Sequence, residues 1–425
     1  MKKFLLISSF FLLPLIISAQ NINGRISSSV YSFERFDLNQ ESDTYIRAYE
    51  TLNLNVNKNK FSLKTRFNFS TNISNSLEND PRLRFYNLYF EGRNIYDIAT
   101  IKIGRQPVYN FVAGGLFDGV SLKVGTDKFS LSGFYGGNVP AYQKLELIED
   151  LSNNYIFGGK LAITAVNNLR FAFSYIDKNF KRQSYEAVRL DENFNPITIL
   201  IEQNSNQYQF LSAEASYKMD EIFSVDTRYD YDLNFDATSR FELNGRYEQI
   251  ENLGVNVYYN YREPRIQYNS IFSVFNYANT QEIEGGLDYK INPLITVVGK
   301  FANVTFDDEN SQRFTLGVNT NYGSVSYRKN LGYAGELDAV SLYAARSFFN
   351  GMITPSAGVS FTNYKLSEEA ETNNITSVLA GCNYRPIKVL SFDIQGQYFN
   401  NKIYKNDYRV LFKLNYWFNT NLDLI

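Results

Sequence analysis

Tyr408-Arg409-Val410-Leu411-Phe412-Lys413-Leu414-Asn415-Tyr416-Trp417-Phe418 sets Tyr408, Val410, Phe412, Leu414, Tyr416 and Phe418 on every second position, with Arg409, Lys413 and Asn415 between them. Side chains of an extended chain point alternately to opposite faces, so this stretch forms a strand with one apolar face and one charged face. The same division recurs upstream. Phe61, Leu63, Phe67 and Phe69 oppose Ser62, Lys64, Arg66 and Asn68; Phe241, Leu243, Gly245 and Tyr247 oppose Arg240, Glu242, Asn244, Arg246 and Glu248. Phe223, Val225 and Tyr229 oppose Ser224, Asp226, Arg228 and Asp230, while Ile283, Leu287 and Tyr289 oppose Glu282, Glu284, Asp288 and Lys290.

One alternating strand suits a soluble sandwich equally well, so the repetition carries the inference. Segments of this kind run from 23–35 to 406–418 and number about 22, within a range of about 18 to 22. Tight links at 57–60, 125–128, 166–168, 218–221, 290–294 and 385–388 alternate with longer ones at 72–82, 106–116, 137–153, 180–206, 264–280 and 364–374. Short periplasmic turns alternating with long extracellular loops are the asymmetry of an outer-membrane barrel.

Composition agrees. Aromatics make up 16% of the chain, with 33 Tyr and 35 Phe, and such side chains favour a pleated surface. Beyond residue 20 no apolar run approaches the roughly 18 residues of a membrane helix, which excludes a helical membrane protein. A membrane strand needs only roughly 9 to 11 residues, apolar at alternate positions. Hydrocarbon offers no hydrogen-bond partner to a sheet edge, so such strands must close on themselves. The expected fold is therefore all-β, a single antiparallel transmembrane β-barrel over residues 20–425.

Ahead of it, Lys2 and Lys3 precede an apolar run from Phe4 to Ile17 that ends at Ser18 and Ala19, the pattern of a secretory signal at 1–19. Removing Lys2 and Lys3 from the 42 basic residues leaves 40 against 44 acidic ones, and nothing in that balance points to nucleic acid. Cys382 is the only cysteine; it has no internal disulfide partner and reads as a packing residue. The chain contains no His, which excludes Ser-His-Asp and Cys-His catalysis and every His-ligated metal site. Neither enzyme activity nor a cofactor is expected. Asp307, Asp308, Glu309 and Asn310 bring oxygens together as a Ca²⁺ loop would, although an exposed external loop explains them more simply.

The unit Ile101-Lys102-Ile103-Gly104-Arg105-Gln106-Pro107-Val108, followed by Phe117-Asp118-Gly119-Val120-Ser121-Leu122-Lys123 and the aromatic last strand, resembles porin-type outer-membrane proteins. The resemblance implies a Gram-negative outer-membrane location reached through the signal, and a loop between these strands that folds into the lumen. One departure is the tail Thr420 to Ile425 after Phe418, where assembly signals of the family usually finish at the aromatic residue.

With the charged alternates turned inward, the pore-lining candidates are Lys64, Arg66, Lys102, Arg170, Asp226, Arg228, Asp230, Arg240, Glu242, Arg246, Glu248, Glu282, Glu284, Arg313, Arg409 and Lys413. Both signs occur among them, and no ring of one sign stands out. Two long links are rich in aromatic residues, which makes Tyr109 and Phe111 in one, and Tyr268, Phe272 and Phe275 in the other, candidates for a constriction. The expected function is a porin-like channel for passive diffusion of small hydrophilic or weakly amphiphilic solutes. The alternative is a non-conducting barrel whose extracellular loops bind a surface partner. Expected partners are outer-membrane lipid and a small-molecule solute, with no nucleic acid; a homo-oligomer is compatible with the pattern.

Overall fold

A computed structural model describes residues 21–36, 42–74, 80–140, 145–148, 150–180, 184–190, 195–202, 207–220, 222–266, 278–333, 335–367, 370–402 and 406–421. The expected signal at 1–19 lies outside them. The first strands are β1 (Asn21–Phe36), β2 (Ser42–Lys58), β3 (Phe61–Asn72), β4 (Arg82–Ile95), β5 (Ala99–Val108), β6 (Gly115–Gly125), β7 (Phe129–Val139), β8 (Tyr155–Val166) and β9 (Leu169–Lys178). Next come β10 (Ser184–Leu190), β11 (Pro196–Glu202), β12 (Tyr208–Met219), β13 (Phe223–Asp232), β14 (Ala237–Tyr247), β15 (Leu253–Arg262) and β16 (Thr280–Asn292). The last are β17 (Ile295–Phe306), β18 (Glu309–Thr320), β19 (Gly323–Gly332), β20 (Glu336–Ala345), β21 (Ile353–Lys365), β22 (Asn373–Ile387), β23 (Leu390–Asn400) and β24 (Asp407–Thr420).

Consecutive strands pair antiparallel, and one 22-stranded sheet closes where β1 meets β24, from Ile22↔Thr420 to Ser32↔Val410. Closure removes both edges, which is what a sheet in hydrocarbon requires. β10 and β11 stand apart as a separate two-stranded hairpin, and β9 pairs directly with β12. The fold is thus an all-β, closed antiparallel barrel, as the alternation predicts. The hairpin is the exception: the 180–206 link reads as a plain loop from sequence, yet it holds β10 and β11. Short runs such as Ile197–Leu200 carry no period-two charge pattern, so their pairing leaves no mark in the alternation.

The sheet has one apolar and one charged face. Every one of the 22 barrel strands contributes at least one large exposed apolar residue, including Ile26, Ile103, Leu131, Phe173, Leu211, Val257, Leu287, Phe301, Leu316, Val359, Ile394 and Phe412. A belt of that extent in water would far exceed the patches that soluble monomers tolerate. The strands themselves, 10 to 17 residues in the barrel, are long enough to cross a bilayer. This apolar face is therefore the outside of a transmembrane barrel and the charged face is its inner wall.

The termini share one end of the barrel. Links there are short: Asn59–Lys60 joins β2 to β3, Asn167–Asn168 joins β8 to β9, and Asn321–Tyr322 joins β18 to β19. Phe61, Phe129, Phe223, Tyr289, Tyr322 and Tyr416 gather exposed near this end, where amphipathic rings suit the headgroup layer. The opposite end carries the long connections, 140–154, 179–207 and 263–279. It also holds one tight turn, because Asp307 and Asp308 both have positive φ (47° and 64°) and join β17 to β18 in two residues. Short polar side chains tolerate that left-handed pair, which matches the strand twist. Glu309 and Asn310 belong to β18, and Asn310 accepts hydrogen bonds from Asn303 and Thr305. Asp307 and Asp308 thus form a turn at the long-link end, in keeping with the external-loop reading, whereas Glu309 and Asn310 open a strand.

Candidate functional site: the barrel lumen

The inner wall divides into arcs of different chemistry. From β8 to β18 it is a lattice of opposite charges. Lys160 meets Glu214 at 2.6 Å, Arg228 holds Asp230 at 2.9 Å, and Arg240 bridges to Glu242. Arg246 donates to Asp288 through both Nη atoms (2.8 and 3.1 Å) and pairs with Glu248 at 2.8 Å. Arg313 reaches from β18 to both Glu282 and Glu284 on β16, and Lys300 of β17 closes on Glu284 at 2.9 Å. Cross-strand partners on one face lie side by side, so alternating signs along neighbouring strands neutralise one another. Near the seam, Arg409 pairs with the fully buried Asp407 at 2.6 Å.

A second arc, β3 to β5, is built around one acid. Glu91, 4% exposed, accepts from Lys64 at 2.5 Å and from Ser62 at 3.2 Å, with Lys102 at 3.7 Å. The ammonium groups of Lys64 and Lys102 also lie over the Tyr89 ring, 6.0 and 5.3 Å from its centre. From β20 to β22 the inner positions are mostly uncharged: Ala339, Ser341 and Tyr343, Gly358 and Ser360, Ser377, Leu379 and Gly381.

The β5–β6 link folds against this wall. Val108, Val112 and Phe117 join Ile156, Ile176 and Phe210 in the one buried apolar cluster among the described residues, with Val112 2% exposed. Ile156, Ile176 and Phe210 alternate with the exposed Phe157, Phe173 and Leu211, so the cluster lies inside the barrel. Phe111 stands edge-on to Phe134 at 5.0 Å. Lys178 of β9 fixes the end of the link by donating to the carbonyls of Ala113 (3.0 Å) and Gly114 (3.2 Å). Of the two aromatic candidates here, Phe111 is taken up by the wall, whereas Tyr109 is 73% exposed. The other constriction candidates, Tyr268, Phe272 and Phe275, lie outside the described residues.

On the outer side of the same strands, Arg105 and Asp118 form a buried pair. Gln106, one position on, faces inward, accepting from Ser121 at 2.7 Å and donating to the Gly119 carbonyl at 3.2 Å. Gly119 sits where β6 and β7 approach closely; a Cβ there would lie 2.1 Å from the Tyr135 carbonyl oxygen. The Gly-Arg-Gln and Asp-Gly-Val stretches therefore lock the roots of the infolded link on both faces of the sheet.

The pore-lining candidates Lys64, Arg66, Lys102, Arg170, Asp226, Arg228, Asp230, Arg240, Glu242, Arg246, Glu282, Glu284, Arg313, Arg409 and Lys413 lie on the charged side of the alternation, and Glu248 follows directly on β14. Their partners Lys160, Glu214 and Lys300 are missing from the sequence reading, as are Arg47, Arg82, Arg84 and Glu91; Asp288 is there a charged alternate but not a pore-lining candidate. A bulge between Arg66 and Phe67 shifts the register of β4 and breaks the alternation over Tyr86–Asn87. The shorter period Arg82-Leu83-Arg84-Phe85 was the available signal.

No protein-family model matches the chain, and no curated protein matches it either. Among solved structures, OccAB4 of Acinetobacter baumannii is similar over 95% of this chain and 99% of its own, at 11% identity and a TM-score of 0.46. The translocation pore of the P pilus usher PapC aligns over 94% and 99% at 8% identity and a TM-score of 0.46. OccK5 (OpdH) of Pseudomonas aeruginosa aligns over 94% and 98% at 10% identity and a TM-score of 0.45. Likenesses of that size assign neither family nor activity, and the description of this chain rests on its own geometry: a closed 22-stranded transmembrane β-barrel with a charged inner wall.

Proposed function

We propose that the chain is a passive outer-membrane channel for small hydrophilic solutes, exported through a signal that is removed after Ala19. The observation that carries this reading is the separation of faces in a closed sheet: an apolar belt around the outside and side chains of both charges around a lumen. A barrel of this strand number is wide; those of about 16 to 18 strands leave aqueous channels, while 22-stranded transporters carry a plug. Among the described residues the only structure outside the barrel sheet is loops and the β10–β11 hairpin, and the infolded 109–114 link lines one side. Tyr109 and the charged lattice are proposed to border the path of the solute.

Reconstitution of the full barrel in a planar bilayer tests this. Discrete conductance steps are expected. A folded, inserted barrel without them overturns the channel and favours the second reading, a filled barrel that binds a surface partner. That alternative draws on one observation: the β10–β11 hairpin exposes Val188, Ile197, Ile199 and Leu200.

A further inference from the structure

One arc of the inner wall gathers four arginines. Arg47 on β2, Arg66 on β3, and Arg82 and Arg84 on β4 converge around a cavity of about 270 Å³, together with Tyr49, Tyr86 and the small polar Thr51, Asn68 and Ser70. They share a face because Asn68 pairs with Arg84 and with Thr51, Ser70 with Arg82 and Tyr49, and Arg47 with Asn72.

Several inward arginines elsewhere in the barrel come with a carboxylate, as Arg228 with Asp230, Arg246 with Asp288, and Arg313 with Glu284. Among the described residues, no carboxylate forms a salt bridge with Arg47, Arg66 or Arg84. Three nearby acids are otherwise placed, and Asp80 accepts from the Asn72 N–H at 2.7 Å and from Thr71 at 3.4 Å. Glu91 is held by Lys64 and Ser62. Glu50 turns to the opposite face, where it pairs across the sheet with Phe69 and accepts from Ser28 at 2.5 Å.

The contacts of Arg47 and Arg66 are weak. The Arg47 guanidinium lies 5.4 Å from the Tyr49 ring centre and donates to Ser70 at a long 3.4 Å, while its Nε is buried with no hydrogen-bond partner. The Arg66 guanidinium lies 5.3 Å from the centre of the Tyr86 ring. Stacking on an aromatic ring orients the planar fork and leaves its N–H edge available, the arrangement that captures a carboxylate or phosphate. Cations gathered in this way repel one another, and an anion between them lowers that cost.

The rest of the lining is hydroxyl, amide and phenol, which supports a polar, hydroxyl-rich body. The cavity falls a little short of the roughly 300 Å³ at which drug-sized sites begin, so it suits one small solute. We infer that the β2–β4 arc is a binding site for a small polyhydroxylated oxyanion, a sugar acid or sugar phosphate. This names a solute class for the proposed channel and rests on that reading only for its biological purpose.

Isothermal titration of the detergent-solubilised full barrel tests the site without requiring conduction. The probes are glucuronate, glucose 6-phosphate, glucose and inorganic phosphate. Both sugar anions are expected to bind more tightly than glucose and than inorganic phosphate, and to weaken as salt rises. The R66Q/R84Q variant, shown to be folded by its heat-dependent gel shift, is expected to lose at least about tenfold in affinity for both. Should it fail to fold, R84Q alone serves in its place.

Glucose binding as tightly as the anions, unchanged affinity in the folded variant, or no binding of either sugar anion overturns the inference. Inorganic phosphate binding as tightly as glucose 6-phosphate overturns the sugar assignment. A barrel that binds the sugar anions but gives no conductance steps keeps this site and loses the channel; one that conducts without binding does the reverse.

Discussion

Arg105 and Asp118 face each other across β5 and β6 in a two-pronged bond, Nε to Oδ1 at 2.7 Å and Nη2 to Oδ2 at 2.8 Å, with both side chains about 5% exposed. Arg105 also donates to the Glu146 carbonyl at 3.0 Å, and Ile148 lies against Gly137. Residues 145–148 thus cover the pair from outside, at the barrel end where the long links lie. Removing one partner strands a buried charge, which costs about 3–5 kcal/mol, whereas replacing both with apolar groups costs far less. D118N should accordingly lower the urea midpoint of the barrel in micelles sharply, and R105L/D118L should recover most of it. Equal midpoints for D118N and the unaltered protein would contradict this account.

Lys178 acts as the latch on the infolded link. Its two bonds, to the carbonyls of Ala113 and Gly114, are charge-assisted, and each such bond contributes about 1.5–3 kcal/mol. K178M removes them while keeping an unbranched apolar stem beside the Phe180 and Tyr208 rings that the ammonium now overlies. Single-channel records of K178M are expected to show larger conductance or added flicker between levels, because the link leaves the wall more often. Shortening the link by deleting 109–113 should give the larger conductance without the flicker. Conductance identical to the unaltered channel in both variants would show that the link does not border the path.

How much of this was legible in the sequence depends on which rule governs each residue. Period-two alternation is imposed by the pleat and by lipid, so Phe412 between Leu411 and Lys413, or Glu282 beside Ile283, announces its own side of the sheet. Closure follows from the absence of hydrogen bonding in hydrocarbon, and β1 against β24 needs no further signal. Pair identity is different. Arg246 and Asp288 are 42 positions apart and meet only because β14, β15 and β16 stack in a particular register, which turn geometry sets. The bulge at Arg66 hides Arg82 and Arg84 for a related reason: one extra residue exchanges the faces on its far side. The hairpin β10–β11 escapes because nothing forces its strands to alternate outside the membrane.

Arg313 spans Glu282 and Glu284, and Lys300 serves only the second. R313Q leaves two inward carboxylates with one cation between them, so the wall gains net negative charge. Under a KCl gradient the reversal potential should move toward cation preference, and the effect should shrink as salt rises because screening shortens to about 3 Å at 1 M. E282Q in the same background should reverse most of the shift. A reversal potential that stays put in R313Q would mean that ions do not pass this arc.

Thr315 and Leu316 are neighbours on β18 and point to opposite sides: Thr315 pairs with Lys300 and Arg328 on the charged face, while Leu316 pairs with Gly299 and Tyr327 and is exposed in the apolar belt. An arginine in the middle of the lipid-facing belt costs about 2–4 kcal/mol, and one on the lumen side costs little because it keeps its water. L316R should therefore lower the stability of the barrel folded in lipid vesicles by that amount, and T315R by well under half of it. The comparison is sharp because backbone, strand and depth are the same and only the face differs. Equal losses for the two variants would mean that the apolar side of the sheet does not meet lipid, and the membrane reading of the fold would fail with it.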